Sequence, residues 1–499
     1  MKIISSIKNL FRPIDLTKGK IRKVILTFMI PIVISVLFQQ IYTISDAAIV
    51  GQTLSESEVN GVNNSNPVTF MILQFSLGCT AGFSVVTSKA IGKKDPDEAR
   101  KSFLVQIILC AIIGVILTVI GVFTIDFLLK MIGIAPSLTD QTAQSLYVAA
   151  HDYIFVIYIG FFAPLFYNLI VAVLRSIGDS LTPLLFLIAS TILNIGLDLL
   201  FIIVFHWGVI GAAVATIFSQ FLAALGCFIY TFIRYKQFRF KSSDFNFTFK
   251  FVLEHLKVGL PLAFQFSILA IGLIIMQKGV ILFDITPAGK QGVDVELGLN
   301  SANKLGNFLM SPFDALGTAM LSYMGQNYGS RNLKRIRDGY KQALVIGTVF
   351  WVVVASLGLL LTINGTYQRI FLSPDKINET TIKYGNMYLY LCCPAYIILM
   401  VLFVSRNSIQ GIQKSFWPFL AGVGELIARC LVCSYLPPLV NGGPINSLAS
   451  DGSFLALASG DCLAWFSACL MMLYPTIHYI IKGKFKFDEK DGDIKKQIN

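Results

Sequence analysis

The sequence predicts an all-α polytopic membrane protein of twelve transmembrane helices, arranged as two six-helix bundles related by a parallel pseudo-twofold repeat. Three observations predict it. Mean hydropathy is +0.70, and with 55% apolar and 14% charged residues in 499 positions the chain lacks the charge to solvate a soluble surface. Twelve apolar stretches of about 18 or more residues recur along the length, each able to cross about 30 Å of hydrocarbon at about 1.5 Å per residue. Three short motifs return at offsets between 230 and 237.

In chain order the spans are expected at 25–50, 67–88, 102–125, 152–174, 181–205 and 209–233, then at 258–283, 299–324, 342–363, 384–405, 416–436 and 456–481. Met1 to Lys23, ahead of the first, is too polar for a cleaved signal peptide. Of the 40 Lys and Arg residues, 32 fall in the loops and tails on the side that carries both termini. Five fall on the other: Lys130, Lys290, Arg369, Lys376 and Lys383. Short loops so unequal place both termini in the cytosol of a multi-pass cell-membrane protein. The net charge of +12 is then a topology signal, with membrane lipid headgroups and no nucleic acid as its expected partner.

The repeat anchors are Pro31 in TFMIPIV with Pro261 in KVGLPLA, Gly92 in SKAIGKKDPDEAR with Gly329 in GQNYGSRNLKRIR, and Pro183 in RSIGDSLTP with Pro418 in QGIQKSFWP. They carry spans 1 to 6 onto spans 7 to 12. An even number of spans per half gives both halves one orientation, so the pseudo-axis follows the membrane normal. The expected division is a first lobe at 1–233, a linker at 234–257, a second lobe at 258–481 and a tail at 482–499. In the linker, Phe245, Phe247, Phe249 and Phe251 alternate with Asn246, Thr248 and Lys250, a pattern suited to lying on headgroups.

No GxxxxGK[ST] phosphate loop occurs and no soluble stretch could hold a nucleotide-binding domain, so an ion gradient or a partner must drive any transport. All nine cysteines fall in spans, where disulfides are not expected, and Cys430 and Cys433 read as packing despite their redox spacing. His151, His206, His255 and His478 lie at expected helix ends or in loops without metal-ligand spacing, as interfacial polar residues. With no nucleophile–base pair and no metal cluster, neither an enzyme nor a cofactor is expected.

Ionisable residues inside spans are costly enough to mark function. Asp46 and Asp198 each sit roughly 8 to 10 Å below the outer surface at about 1.5 Å per residue. Asn194 precedes Asp198 by one turn on the same face, and Thr216 lies roughly 10 Å deep in span 6. Two carboxylates, an amide oxygen and a hydroxyl at one level suit a small hard cation, or a proton shared between the carboxylates. The alternative is a pair of helix-capping carboxylates. Asp314, beside Pro312, reads equally as a second proton site or a structural acceptor. Lys278 and Lys304 are expected to snorkel, and Glu425 and Arg429, spaced i,i+4, to form a structural ion pair.

LFQQIYTISDAAIVG, LRSIGDSLTP, NIGLDLLFI and WGVIGAAVATIFSQ, followed by GQNYGSRNLKRIRDG, resemble the multidrug and toxic compound extrusion (MATE) family in order and spacing, from about Leu16 to Ile480. The resemblance, closest to prokaryotic members, implies a V-shaped pair of bundles around a central cavity. It implies export of cationic or amphiphilic compounds in exchange for sodium ions or protons, by a chain expected to act as a monomer. The family's first-lobe cation site matches Asp46, Asn194, Asp198 and Thr216. Gln39, Tyr42 and Asn168 match positions that line the cavity. Two departures stand out: Leu269 occupies a place where some branches carry a coupling Glu, and SESEVNGVNNSNP replaces a small-residue-rich stretch between spans 1 and 2. The alternative, a flippase for a lipid-linked substrate, sits poorly with only three Lys/Arg, Lys278, Lys304 and Arg429, in or near spans.

Overall fold

The computed structural model describes residues 13–137, 140–290 and 292–485. The expected leader up to residue 12 and the expected tail from 486 onward lie outside the described residues. The first half runs through α1 (Ile21–Thr53), α2 (Glu56–Lys93), α3 (Pro96–Met131), α4 (Gln141–Ile159), α5 (Phe162–Ser176), α6 (Leu181–Asp198, prolonged by π-helical turns at Leu199–Val204) and α7 (Gly208–Arg234). The second runs through α8 (Phe249–Ile281), α9 (Asp294–Gly329), α10 (Leu333–Leu361), α11 (Glu379–Gly411), α12 (Phe416–Asn441) and α13 (Asp451–Pro475, prolonged by π-helical turns at Thr476–Ile481). With α4 and α5 taken as one bent span, these are the twelve helices of two six-helix bundles.

Two spans depart from a plain apolar rod. Helices α4 and α5 meet at 48°. Pro164 has no N–H for the carbonyl of Gly160, which takes a tighter bond from the Ala163 N–H at 2.9 Å instead. Helix α9 alone of the long helices is too polar to qualify as a lipid-facing span by composition. It is enclosed by protein: Ser301, Ser311, Ser322, Gln326 and Asn327 are all buried, so its polar groups never meet hydrocarbon.

The parallel repeat is written into the turns. Left-handed residues recur in pairs, Lys94 with Arg331, Gly178 with Gln413 and His206 with Gly442, at separations of 237, 235 and 236. Asp95 and Asn332, also 237 apart, cap the helices that follow. Asp95 accepts from the N–H groups of Asp97 (3.1 Å) and Glu98 (2.9 Å), and Asn332 accepts from that of Arg335 (3.0 Å). A Cβ on Gly92 would strike the carbonyl of Gln326, and one on Gly329 that of Lys89. Because 89 and 326 are themselves repeat partners, this contact is self-complementary, and the pseudo-axis passes between the ends of α2 and α9.

These glycines lie on the face that carries both described chain ends, where Phe485 packs on Tyr328 at the end of α9. On this terminal face the segment before α1 ties the bundles together. Ile14 N–H donates to the carbonyl of Gly178 (3.0 Å), while Leu16 N–H donates to Gln326 Oε1 (3.1 Å) and Gln326 Nε2 donates to the carbonyl of Ser176 (2.8 Å). Arg335 donates to the carbonyls of Leu16, Lys18 and Gly19.

Three expectations change. Arg175 and Arg406, counted as loop charges when spans stop at 174 and 405, lie inside α5 and α11. His255 is not interfacial: it is fully buried, with Nε2 2.8 Å from Ser102 Oγ and Nδ1 2.9 Å from the carbonyl of Phe251. The segment expected to lie on headgroups is divided. Phe245 and Phe249 are exposed, whereas Phe247 and Phe251 pack on the buried cluster around Phe103. Helix α8 already begins at Phe249 with Thr248 as its cap. The segment is anchored by Asp244, fully buried, which accepts from Arg100 Nε at 2.5 Å and Nη2 at 2.8 Å.

Candidate cation site

Helix α1 rises from the terminal face and carries Asp46 seven residues before its end at Thr53. Asp198 is the last α-helical residue of α6, immediately before the π-helical turns, and wide turns of this kind are frequent at functional sites. Asn194 lies one turn earlier, and Thr216 is eight residues into α7. At about 1.5 Å per residue, Asp46, Asp198 and Thr216 lie about 9 to 12 Å in from the opposite ends of their helices and Asn194 one turn deeper.

The side chains of Asp46 and Asp198 approach within hydrogen-bonding range of each other. As two carboxylates neither can donate, so Asp46 Oδ1 and both Asp198 oxygens stand buried without a donor, as does Asn194 Oδ1, while Asn194 Nδ2 is buried without an acceptor. Asn194 and Asp198 are wholly shielded from solvent. Buried polar atoms are nearly always partnered. Four unpartnered oxygens on two helices form a set that a proton or a hard cation would complete, and these oxygens fit sodium in kind.

Thr216 stands at the edge of this set, where its Oγ1 accepts from the Tyr42 hydroxyl at 3.3 Å. Tyr42 therefore closes the cation cluster from α1. Gln39 is exposed and Asn168 half-buried, and neither is part of the cluster. Tyr153 of α4, absent from the sequence reading, lies within electrostatic reach of both carboxylates. Tyr153 already fell inside the expected span at 152–174, but no local spacing tells that its side chain comes near residues of α1 and α6, and α4 itself begins eleven residues earlier, at Gln141.

The second bundle holds a different arrangement. Glu425 pairs with Arg429 at 3.4 Å as expected, but also with Arg406 at 2.7 Å. Arg429 Nε reaches Asp461 at 3.0 Å, and the Tyr388 hydroxyl donates to the other Asp461 oxygen at 2.8 Å. Two cations and two anions, all buried, cancel and fasten α11, α12 and α13 to one another. Lys278 and Lys304 are exposed. Asp314 is half-buried, with Arg175 as the cation whose field reaches it.

A family model described as MatE matches residues 31–200 and 274–433, about two thirds of the chain. The chain belongs to the MATE family. Among curated relatives it is 28% identical over 322 residues to the probable multidrug resistance protein YpnP of Bacillus subtilis, covering 64% of this chain and 68% of that protein. It is 23% identical over 435 residues to the FAD transporter of Shewanella oneidensis, covering 86% and 90%. A multidrug resistance MATE transporter solved in an outward-facing conformation is similar with a TM-score of 0.79 at 23% identity over 95% of this chain and 99% of that one. The MATE fold is thus shared along nearly the whole chain.

Proposed function

We propose that this MATE transporter is a secondary multidrug exporter, moving small amphiphilic or cationic organic compounds out of the cytosol in exchange for sodium ions or protons. The observation that carries the reading is the set of unpartnered buried atoms on Asp46, Asn194 and Asp198. A proton shared by the carboxylates and a sodium ion ligated by them, with Thr216 beside it, are rival occupants of one site and compete. Multidrug resistance in the names of relatives supports an organic substrate.

In this reading the terminal face is cytosolic, in keeping with the loop charges. Lobes at 1–233 and 258–481 rock about the Gly92–Gly329 contact, the linker at 234–257 and the tail at 482–499 lie on the cytosolic side, and a single chain surrounded by lipid suffices. Gln39, Tyr42 and Asn168 line the first lobe's side of the substrate path, with Tyr42 touching the ion site through Thr216. Ion binding drives export only if its affinity differs between outward-facing and inward-facing states. The Asp46–Asp198 contact joins α1 to α6, so a shift of α1 would change that affinity. The test is efflux of a fluorescent cation from vesicles with sodium and pH gradients imposed separately. Export that follows neither gradient overturns the reading.

A further inference from the structure

Helix α9 packs on its own bundle through one face, where a Cβ on Gly298 would strike Thr381 and one on Gly306 the Tyr396 hydroxyl, both on α11. Its other face meets the first bundle at the terminal end, with Gly325 against Ser88 and Gly329 against Lys89. Asn300 lies 25 residues before Gly325, and Lys304 lies 25 before Gly329. Each interval is about seven whole turns, so both side chains stand on the face that meets the first bundle. Asn307, 18 residues or about five turns before Gly325, stands there too.

The facing helices repeat the pattern. On α2, Asn63 is likewise 25 residues before Ser88, and Asn63 with Asn300 and Asn66 with Asn303 are repeat partners 237 apart. On α8, the face that meets α2 carries Gly259 against Gly82, Ala263 against Gly78, and Ser267, whose hydroxyl donates to the carbonyl of Met71 at 3.2 Å. Eleven residues on, about three turns, that face presents Lys278. Faces pressed together at the terminal end are thus open at the other: Asn63, Asn66, Asn307, Lys278 and Lys304 are exposed, and Asn300 and Asn303 half-buried. Among the described residues none of these seven side chains has a hydrogen-bond or ion-pair partner. Free amides and ammonium groups are too costly in hydrocarbon, so they line a water-filled cleft. Lys304 lies ten residues, about 15 Å, from the start of α9, deeper than a lysine stem snorkels. The nearest carboxylates along α9 leave it bare: Glu296 is held by Gln277 at 2.7 Å, and Asp314 is ten residues, about 15 Å, further on.

We propose that Lys304 and Lys278, with the amides of Asn300, Asn303 and Asn307, form an anion subsite on the second bundle's wall of this cleft. Resting on the exporter reading above for the transport itself, the chain then carries amphiphilic organic oxyanions besides cations. Each ammonium is a compact charge with three donors, and each amide adds two N–H groups, a set matched to the acceptor oxygens of a carboxylate, sulfonate or phosphate. The two walls differ in sign. Asp46 and Asp198 stand in the first bundle and the two lysines in the second, so cation and oxyanion recognition fall on opposite sides of one cleft.

The test is fluorescence-polarisation binding of Lucifer yellow, an organic disulfonate, and of ethidium, an organic cation, to the full chain in non-ionic detergent at fixed ionic strength. Lys304→Gln is expected to weaken Lucifer yellow about tenfold, the worth of one charge-assisted hydrogen bond, and Lys278→Gln about threefold. Ethidium should stay within about twofold of wild type in both, and Lys304→Arg, which keeps the charge, should retain most of the anion affinity. Lys130→Gln, which removes an exposed charge at the end of α3, should change neither dye. Wild type that does not bind Lucifer yellow overturns the proposal, as does equal affinity in wild type and Lys304→Gln, or a loss in Lys304→Gln that Lys130→Gln matches. If Lys304→Gln loses ethidium as well, Lys304→Arg decides: anion binding kept there supports the subsite, anion binding lost overturns it. Because binding is read without a gradient, wild type that binds Lucifer yellow but exports neither dye from vesicles counts against the exporter reading, while the subsite stands.

Discussion

Replacing Glu425 by Gln removes one of the two anions that hold Arg406 and Arg429 in the second bundle, where all three side chains are at most 5% exposed. Only Asp461 then remains to offset two buried guanidinium groups. Breaking a buried pair from one side costs about 3–5 kcal/mol, because the stranded charge keeps its desolvation penalty. Replacing the whole network by apolar residues of similar volume is a different matter. Arg406→Met, Glu425→Leu, Arg429→Met and Asp461→Leu, with Tyr388→Phe so that no hydroxyl is orphaned, should leave stability within about 1 kcal/mol of wild type or raise it. Both are read by denaturant unfolding in detergent, followed by the fluorescence of Trp465, which lies in the same bundle on α13. A loss below about 1 kcal/mol for Glu425→Gln would refute the reasoning, as would an apolar quintuple variant that falls as far as the single one.

Other outcomes follow from the terminal face. Gly92→Ala and Gly329→Ala should each force the bundles apart there, at a cost of about 1–3 kcal/mol, and speed maleimide labelling of a Ser176→Cys reporter; unchanged labelling contradicts the self-complementary contact. Asp244→Asn should destabilise by about 3 kcal/mol, since Arg100 is left with only the exposed Asp97. The Arg100 hydrogen bonds hold the Asp244 carboxyl below the usual range. Its contribution is therefore complete above the unfolded value of about 3.9 and is lost as pH falls through the lower folded value. The stability gap between wild type and Asp244→Asn should be constant from pH 7 to 5 and shrink below about pH 4. A gap that shrinks already between pH 7 and 5 counts against it.

Hydropathy marked the spans because lipid imposes it on every residue that faces outward, and Pro and Gly anchors revealed the repeat because backbone geometry allows few substitutes at a kink or a close contact. Helix α9 was counted among the apolar stretches, although by composition it is too polar for a lipid-facing span and its polar groups face protein. The depth argument singled out Asp46, Asn194, Asp198 and Thr216 because each lies a countable number of residues from a helix end. Tyr153, although inside the expected span at 152–174, was missed because its neighbours Asp46 and Asp198 lie on other helices. Arg406, Asp461 and Tyr388 were missed because pairing across three helices leaves no local spacing; only the i,i+4 contact of Glu425 with Arg429 was visible in the chain. Arg175 looked like a loop charge since the apolar run ends just before it, although the helix does not.

The central claim is that the Asp46–Asp198 pair couples an ion gradient to export. Its most direct test is uphill efflux of a fluorescent cation in proteoliposomes holding wild type, Asp46→Asn or Asp198→Asn, with sodium and proton gradients applied in turn. One charge moved through 100 mV supplies about 2.3 kcal/mol, near fiftyfold accumulation at most. Wild type should accumulate the dye under one of the gradients, while both variants retain dye binding yet equilibrate it without accumulation. Accumulation by both variants at the wild-type level would contradict the account and move the search for the coupling group to Asp314.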